Sequence, residues 1–287
     1  MSQSTLKAAI AGSTVILGTV GTLACGQLPG WAAGGLLHPS RRAVDPSLSA
    51  RYGKLMFEGD GVVLEGWKLP AQGPARGTVV YLHGVADNRA SSLGAARLTQ
   101  HGFDVVAYDS RAHGNSTGDA CTYGFHERRD LRRVLDVLER RPIVVIGSSL
   151  GAAVALQAAA EDERIRAVVA AESFSDLRTA ASERAPGFLT KRTIQRAFAL
   201  AEEQGHFEVD AVSPVRAAAH ISAPVFLLHG ALDRETPPDH AKRIFDALSG
   251  PKRLLIVAGA GHNQSLQAST WPEIEAWIDM ILPGGQR

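Results

Sequence analysis

Short runs of valine, isoleucine and leucine, each followed by a stretch of helical character, constrain this chain more than any other feature. The runs are Thr78–Leu82, Val105–Tyr108, Ile143–Ile146, Val168–Ala170, Val225–Leu228 and Leu254–Val257. A strand with one wet face alternates apolar and polar residues, whereas a run apolar throughout is covered on both faces. Between the runs lie candidate helices at Ser91–Gln100, His126–Arg140, Leu150–Glu161, Asp239–Leu248 and Trp271–Ile281. In the second of these, Leu131, Val134, Leu135 and Leu138 recur at helical spacing and should face the sheet. Helices interleaved with doubly buried strands make the sheet parallel. The expected fold class is α/β, a mostly parallel central sheet flanked by helices.

Two departures from this rhythm define the organisation. Leu55–Leu69 is apolar with a break at Gly59-Asp60-Gly61, a turn signal that suggests an opening hairpin. Between the strands near Val168 and Val225 lie roughly fifty residues without a strand pattern, too long for a plain connection. They include the helical stretch Lys191–Gln204 with Ile194, Phe198 and Leu200, and are expected to form a small helical cap over about residues 174–223.

The N-terminus carries a separate signal. After Lys7 there is no Asp, Glu, Lys or Arg until Arg41, and Ala8–Cys25 is apolar or small. Its length falls in the range of roughly 17–25 residues that spans a bilayer. A cleavable export signal, a membrane anchor and a plain soluble helix all fit. Leu23-Ala24-Cys25-Gly26 is close to a lipoprotein cleavage site, but Thr22 stands where a large apolar residue is usual. The expected division is therefore a signal or anchor over 1–25, a linker over 26–50 rich in Gly, Pro and Ala, and the main domain over 51–285. A functional leader would place that domain in the cell envelope or outside it, and without one the chain is cytoplasmic.

Composition mostly excludes. The 287 residues are 45% apolar and 21% charged, with a formal net charge of +1, and no long Lys/Arg stripe stands out. Nucleic acid is therefore not an expected partner. The two cysteines, Cys25 and Cys121, make neither a disulfide framework nor a zinc site, and Cys121 reads as a packing residue.

The chemistry centres on Gly147-Ser148-Ser149-Leu150-Gly151. G-x-S-x-G alone is a weak signal, but here the buried run Ile143–Ile146 precedes it and a helix of small residues follows. A tight strand-to-helix turn strains its middle residue, the flanking glycines remove clashing Cβ atoms, and the Ser149 oxygen is left above the sheet. Ser148 is the rival, and it would break the symmetry of the glycines. A serine needs a base, and among the histidines His262 fits best, following the last strand through Ala258-Gly259-Ala260-Gly261. His229, His126, His240 and the others read as structural or solvated. The acid should end an earlier strand. Asp233 does so in Leu228-His229-Gly230-Ala231-Leu232-Asp233, and Glu172 is the alternative. Backbone N–H groups of Val85, in the turn Leu82-His83-Gly84-Val85-Ala86, and of Leu150 are the expected oxyanion donors, worth roughly 3–4 kcal/mol each in comparable sites.

These motifs together resemble the α/β-hydrolases, near the bacterial lysophospholipase-like and serine-peptidase-like branches, over about residues 50–285. The resemblance rests on His83-Gly84, Gly147–Gly151, His229-Gly230-x-x-Asp233 and Gly261-His262. Asp109-Ser110-Arg111-Ala112-His113-Gly114-Asn115-Ser116 is similar to the family's D-x-R-G-x-G-x-S loop, with Ala112 where Gly is usual. That loop is generally structural, so Arg111 and His113 are given structural roles. The resemblance implies an α/β-hydrolase fold and hydrolysis of an ester or thioester through an acyl-enzyme. It implies a small-molecule or lipid-like acyl substrate, and no metal or organic cofactor. Peptide or amide cleavage and acyl transfer are the enzymatic alternatives. A non-catalytic ligand-binding or scaffold protein is the other, against which the filled triad positions argue. A membrane-associated leader at residues 8–25 would favour lipid-derived substrates.

Overall fold

A computed structural model describes residues 27–138 and 142–283 of the chain. Its centre is one sheet built from β1 (Leu55–Glu58), β2 (Val63–Leu69), β3 (Gly77–Leu82), β4 (Phe103–Tyr108), β5 (Ile143–Ser148), β6 (Ile165–Ala171), β7 (Val225–Gly230) and β8 (Lys252–Val257). The order across the sheet is β1-β2-β4-β3-β5-β6-β7-β8. β2 pairs antiparallel with both β1 and β4, and every later pairing is parallel. The opening hairpin and the parallel core both stand where the sequence suggested them.

The continuous apolar runs have a direct physical reading. Neighbouring residues of a strand point to opposite faces, so a strand between two helical layers needs apolar residues at every position. Val80, Val145, Val168 and Leu227 pack on one face, in the cluster that holds Leu131, Val154 and Ile244. Their neighbours Val79, Val144, Val169 and Phe226 pack on the other, with Leu98, Trp271 and Ile274. The first face is covered by α3 (Glu127–Asp136), α4 (Leu150–Ala159) and α8 (Asp239–Ala247), the second by α9 (Trp271–Ile281) and a 3-10 helix at Arg89–Thr99. The stretch expected as an ordinary helix at Ser91–Gln100 is thus helical but more tightly wound, and Asn88 caps it by accepting from the Ala90 N–H at 2.9 Å.

Two elements differ from expectation. Residues 26–50 were expected as a linker, yet 27–37 form helix α1 and Pro46–Tyr52 form α2. In α1, Ala33 and Leu37 are fully buried one turn apart, against Phe174, Leu177, Phe198 and Phe207. Its glycines are not required by close packing, since a Cβ on Gly30, Gly34 or Gly35 would meet nothing within 4 Å. The cap interval contains α5 (Leu177–Arg184), α6 (Lys191–Gly205) and α7 (Pro214–Ala218). Only α5 and α6 join α1 in that outer cluster. Ala218 and Ile221, in and just after α7, are buried in the main core with α4 and α8, so the last part of the expected cap is core.

The apolar segment 8–25 and Cys25 lie outside the described residues. Among the described residues, no helix is long and apolar enough to cross a membrane. Cys121 is a free, fully buried thiol, and burial pushes its pKa well up, as suits a packing residue.

Candidate active site

β5 runs into α4 without a loop, and Ser149 is the residue between them. It has φ 50° and ψ −109°, a left-handed conformation that a residue with a side chain adopts only under constraint. The glycines make the turn possible. A Cβ on Gly147 would lie 2.3 Å from the backbone of Gly151, and one on Gly151 would lie 2.2 Å from the carbonyl oxygen of Leu82. Strand β3 and the start of α4 therefore approach more closely than any side chain allows. The Ser149 N–H donates to the Ala171 carbonyl at 2.8 Å, which fixes the turn to β6.

Residues remote along the chain meet at the Ser149 hydroxyl. Ser149 Oγ lies 3.0 Å from His262 Nε2, and His262 Nδ1 lies 2.7 Å from Asp233 Oδ2. The second contact places the imidazole proton on Nδ1 and leaves Nε2 with the lone pair that faces the hydroxyl. The other oxygen of Asp233 accepts the N–H groups of Glu235 and Thr236, both at 2.9 Å. Burial pushes the Asp233 carboxyl up, but the hydrogen bonds from His229 and His262 and from the Thr236 N–H together outweigh it. The carboxyl is held well below the usual carboxylate range, so it is ionised at neutral pH.

The rivals fall elsewhere. Ser148 Oγ donates to Asn263 Oδ1 at 3.2 Å and not to an imidazole. Glu172 has a positive φ of 56° and is buried, but its carboxylate accepts the N–H groups of Gln264 (2.9 Å) and Ser265 (2.8 Å). It braces the segment that follows His262 through these two bonds. His229 is structural, as expected: its Nε2 donates to the Thr236 carbonyl at 2.7 Å and lies 3.3 Å from Asp233 Oδ2.

The expected oxyanion donors border the same spot. Leu150 opens α4, where the first N–H groups have no partner one turn back. Val85 follows Gly84, and a Cβ on Gly84 would lie 3.6 Å from the Ser149 Cβ, so this turn runs against the serine. His83 anchors the turn: its Nδ1 donates to the Gly84 carbonyl at 2.7 Å and its Nε2 accepts from the Ser110 N–H at 2.9 Å. Among the described residues no group of three or more His, Cys, Asp and Glu side chains has the arrangement that holds a metal ion.

A family model for the alpha/beta hydrolase fold matches residues 77–216. Among solved structures, the Pyrococcus furiosus esterase Pf2001 superposes with a TM-score of 0.68 at 23% identity, over 85% of this chain and 98% of that one. The chain is an α/β-hydrolase-fold protein. A Pyrococcus horikoshii acylaminoacyl peptidase shares the fold at a TM-score of 0.64 and 15% identity, over 82% of this chain and 42% of the peptidase. Among sequence relatives, the uncharacterized protein YfhR of Escherichia coli (strain K12) is 28% identical over 217 residues, 71% of this chain and 70% of its own. The uncharacterized protein YqkD of Bacillus subtilis (strain 168) is 29% identical over 202 residues, 66% of this chain and 65% of its own. The family match ends before Asp233 and His262, so their contacts rest on geometry alone.

In this α/β-hydrolase fold the Asp109–Ser116 loop is a brace. Asp109 accepts from the Arg89 N–H (2.7 Å), the Asn115 N–H (2.9 Å) and the Arg89 guanidinium (2.5 Å), and a Cβ on Gly114 would strike its carboxylate. Arg111 grips Asp130 through two hydrogen bonds of 2.7 and 2.8 Å, and His113 bonds the Arg111 carbonyl, so both are structural. Ala112 has φ 60°, the left-handed conformation for which glycine is the usual occupant. An L-residue costs about 1–2 kcal/mol there. Burial of the methyl recovers about 0.8 kcal/mol, and the loss of glycine's extra chain freedom a further 0.5–1 kcal/mol. The loop therefore keeps its path with alanine in place.

Sequence reasoning missed Asn263, and it held Glu172 only as an alternative acid, whereas its carboxylate accepts the Gln264 and Ser265 N–H groups. Asn263 has φ 59°, a region that asparagine tolerates better than most residues, and its side chain ties the histidine loop to Ser148. The only signal for it was its place beside His262.

Proposed function

We propose that the chain is a serine hydrolase that cleaves a carboxylic ester or thioester through an acyl-enzyme. The observation that carries this reading is the unbroken hydrogen-bond line from the Ser149 hydroxyl through His262 to the ionised Asp233. Ser149 Oγ attacks the acyl carbon while its proton passes to His262 Nε2. The carbonyl oxygen takes up negative charge beside the N–H groups of Val85 and Leu150. The acyl–oxygen or acyl–sulfur bond then breaks, and the imidazolium returns the proton to the leaving alcohol or thiol. Water attacks the acyl-enzyme and gives its proton to His262, and the acid departs as Ser149 regains its hydrogen. Asp233 holds the tautomer and the imidazolium throughout.

Esters come first because the fold is shared with an esterase. The likeness to an acylaminoacyl peptidase supports amide cleavage as the second reading. Labelling the purified protein with a fluorophosphonate, followed by peptide mapping, tests the nucleophile. A label on Ser149 that disappears in Ser149→Ala and persists in Ser148→Ala is the expected result, and a label that persists in Ser149→Ala refutes the assignment. A panel of p-nitrophenyl acyl esters beside aminoacyl anilides separates the two chemistries. The export or anchor role of residues 8–25 is tested by fusing residues 1–50 to a reporter, and a cytosolic, uncleaved fusion removes it.

A further inference from the structure

A cleft of about 560 Å³ runs between α1 and the cap helices α5 and α6, away from the hydrogen-bonded line just described. Volumes of roughly 300–1,000 Å³ are usual for small-molecule sites. Leu28 and Trp31 stand on one wall, Phe188 and Ile194 on the other, and Phe174 and Leu177 on the floor. The Tyr123 hydroxyl is spent on the Leu36 carbonyl at 3.0 Å, so this residue offers the cleft only its ring. Trp31 is 65% exposed and Phe188 73%, so the two rims each present a large aromatic side chain to solvent.

Among the described residues, Arg184 is the one charged residue on the lining, and it too is engaged. Its Nε donates to the Glu235 carbonyl at 2.7 Å and its Nη2 to Thr236 Oγ1. Thr236 in turn donates its N–H to Asp233, so the end of the cleft is tied to the loop that holds the acid. A guanidinium committed in this way leaves the cleft apolar in character and suited to a hydrocarbon chain. The floor also packs against the helix that follows the nucleophile. Phe174 and Leu177 pack with Ala153, whose N–H donates to the Ser149 carbonyl at 3.1 Å. Ala153 is four residues from the serine, about 6 Å along the helix axis.

We propose that this cleft binds a fatty acyl chain and that α1, outside the segment matched by the family model, supplies one of its walls. The assignment of that chain to the substrate rests on the acyl-enzyme reading above. Chain-length preference is then set jointly by the cap and by a helix of the N-terminal region.

Gly35 provides the test. It lines the cleft, it sits in α1, and a Cβ there meets nothing within 4 Å. Gly35→Trp fills the space at a position where losing a helical glycine favours the helix. Gly34→Trp is the control, since Gly34 has equal room but is not on the lining. In the full chain carrying Ser149→Ala, cis-parinaric acid should bind. Adding Gly35→Trp should weaken binding at least tenfold, and adding Gly34→Trp should not. With Ser149 intact, Gly35→Trp should lower kcat/KM for a dodecanoyl ester at least tenfold relative to the acetyl ester.

Equal parinarate binding by the two tryptophan variants overturns the proposal, as does no binding at all. Binding that appears only after residues 1–26 are removed gives the cleft to the chain's own apolar segment and also overturns it. A dimer that Gly35→Trp dissociates gives the cleft to a second copy, with the same consequence. Parinarate binding lost in Gly35→Trp, together with no turnover of any ester, upholds the chain-binding cleft and refutes the hydrolase reading alone.

Discussion

Asp233→Asn exchanges one atom, and the structure dictates which. Oδ1 accepts two backbone N–H groups, from Glu235 and Thr236, at 2.9 Å each. An amide nitrogen in that place would face two donors and forfeit both bonds, so the asparagine keeps its oxygen there. Its NH2 group then falls at Oδ2, which is 2.7 Å from His262 Nδ1 and 3.3 Å from His229 Nε2. Both nitrogens carry hydrogen in the native arrangement. His262 relieves the clash by moving its proton to Nε2, and the ring then presents N–H rather than a lone pair to Ser149 Oγ at 3.0 Å. No base remains for the hydroxyl proton. The same exchange in a serine protease triad lowers kcat by about 10⁴, or about 5.5 kcal/mol at 1.36 kcal/mol per decade. We expect a fall in kcat of roughly 10³–10⁴ here, with KM changed less than about threefold because the tautomer leaves substrate contacts alone. Steady-state kinetics on a p-nitrophenyl ester read both. A kcat within tenfold of wild type refutes the reasoning, and a collapse seen instead in Glu172→Gln transfers the acid role to Glu172.

Three further outcomes follow from the same contacts. Glu172→Ala removes the acceptor for the Gln264 and Ser265 N–H groups, bonds worth about 1.5–3 kcal/mol each when one partner is charged. It should lower kcat tenfold or more by releasing the His262 loop, while Glu172→Gln, which keeps an oxygen acceptor, restores most of the rate; equal rates for the two variants refute this. Arg89→Met leaves the buried carboxylate of Asp109 without its cation and Glu65 with Lys54 alone. A loss of about 3–5 kcal/mol, or roughly 6–20 °C in Tm, should appear in thermal unfolding, and an unchanged Tm refutes it. Burial, aided by the neighbouring His83, brings His113 down to about 4 from an ordinary 6.5. The unfolded chain therefore binds a proton between those values that the folded chain refuses. Stability is full above pH 6.5 and drops toward pH 4, on the order of 3 kcal/mol for this group. Urea midpoints at pH 7, 5.5 and 4.5 should decline in that order, and a flat series refutes the assignment.

What the sequence disclosed depended on how locally each feature is made. The parallel core was legible because a doubly covered strand needs apolar residues at each position, and Val79-Val80 or Val144-Val145 have no other ready use. The serine turn was legible because its two close backbone approaches, at Gly147 and Gly151, each need a glycine within two residues of the nucleophile. Glu172 shows where this stops. A carboxylate at a strand end near a histidine loop satisfies the pattern of an acid, yet its Oε1 accepts both the Gln264 and Ser265 N–H groups, and only the path of that loop decides so. Helix α1 was hidden for a different reason. Its buried positions, Ala33 and Leu37, are separated by glycines that read as linker, and its partners Phe174 and Phe198 are far along the chain. The acyl cleft compounds both difficulties, since its walls come from α1 and the cap and no single segment carries a pattern. Reaction chemistry needs a few atoms at fixed spacing near one turn, so it leaves a short motif. Selectivity needs only a shaped apolar volume, which many combinations of distant residues supply. It therefore becomes visible at Trp31, Gly35 and Phe188 only once the chain is folded.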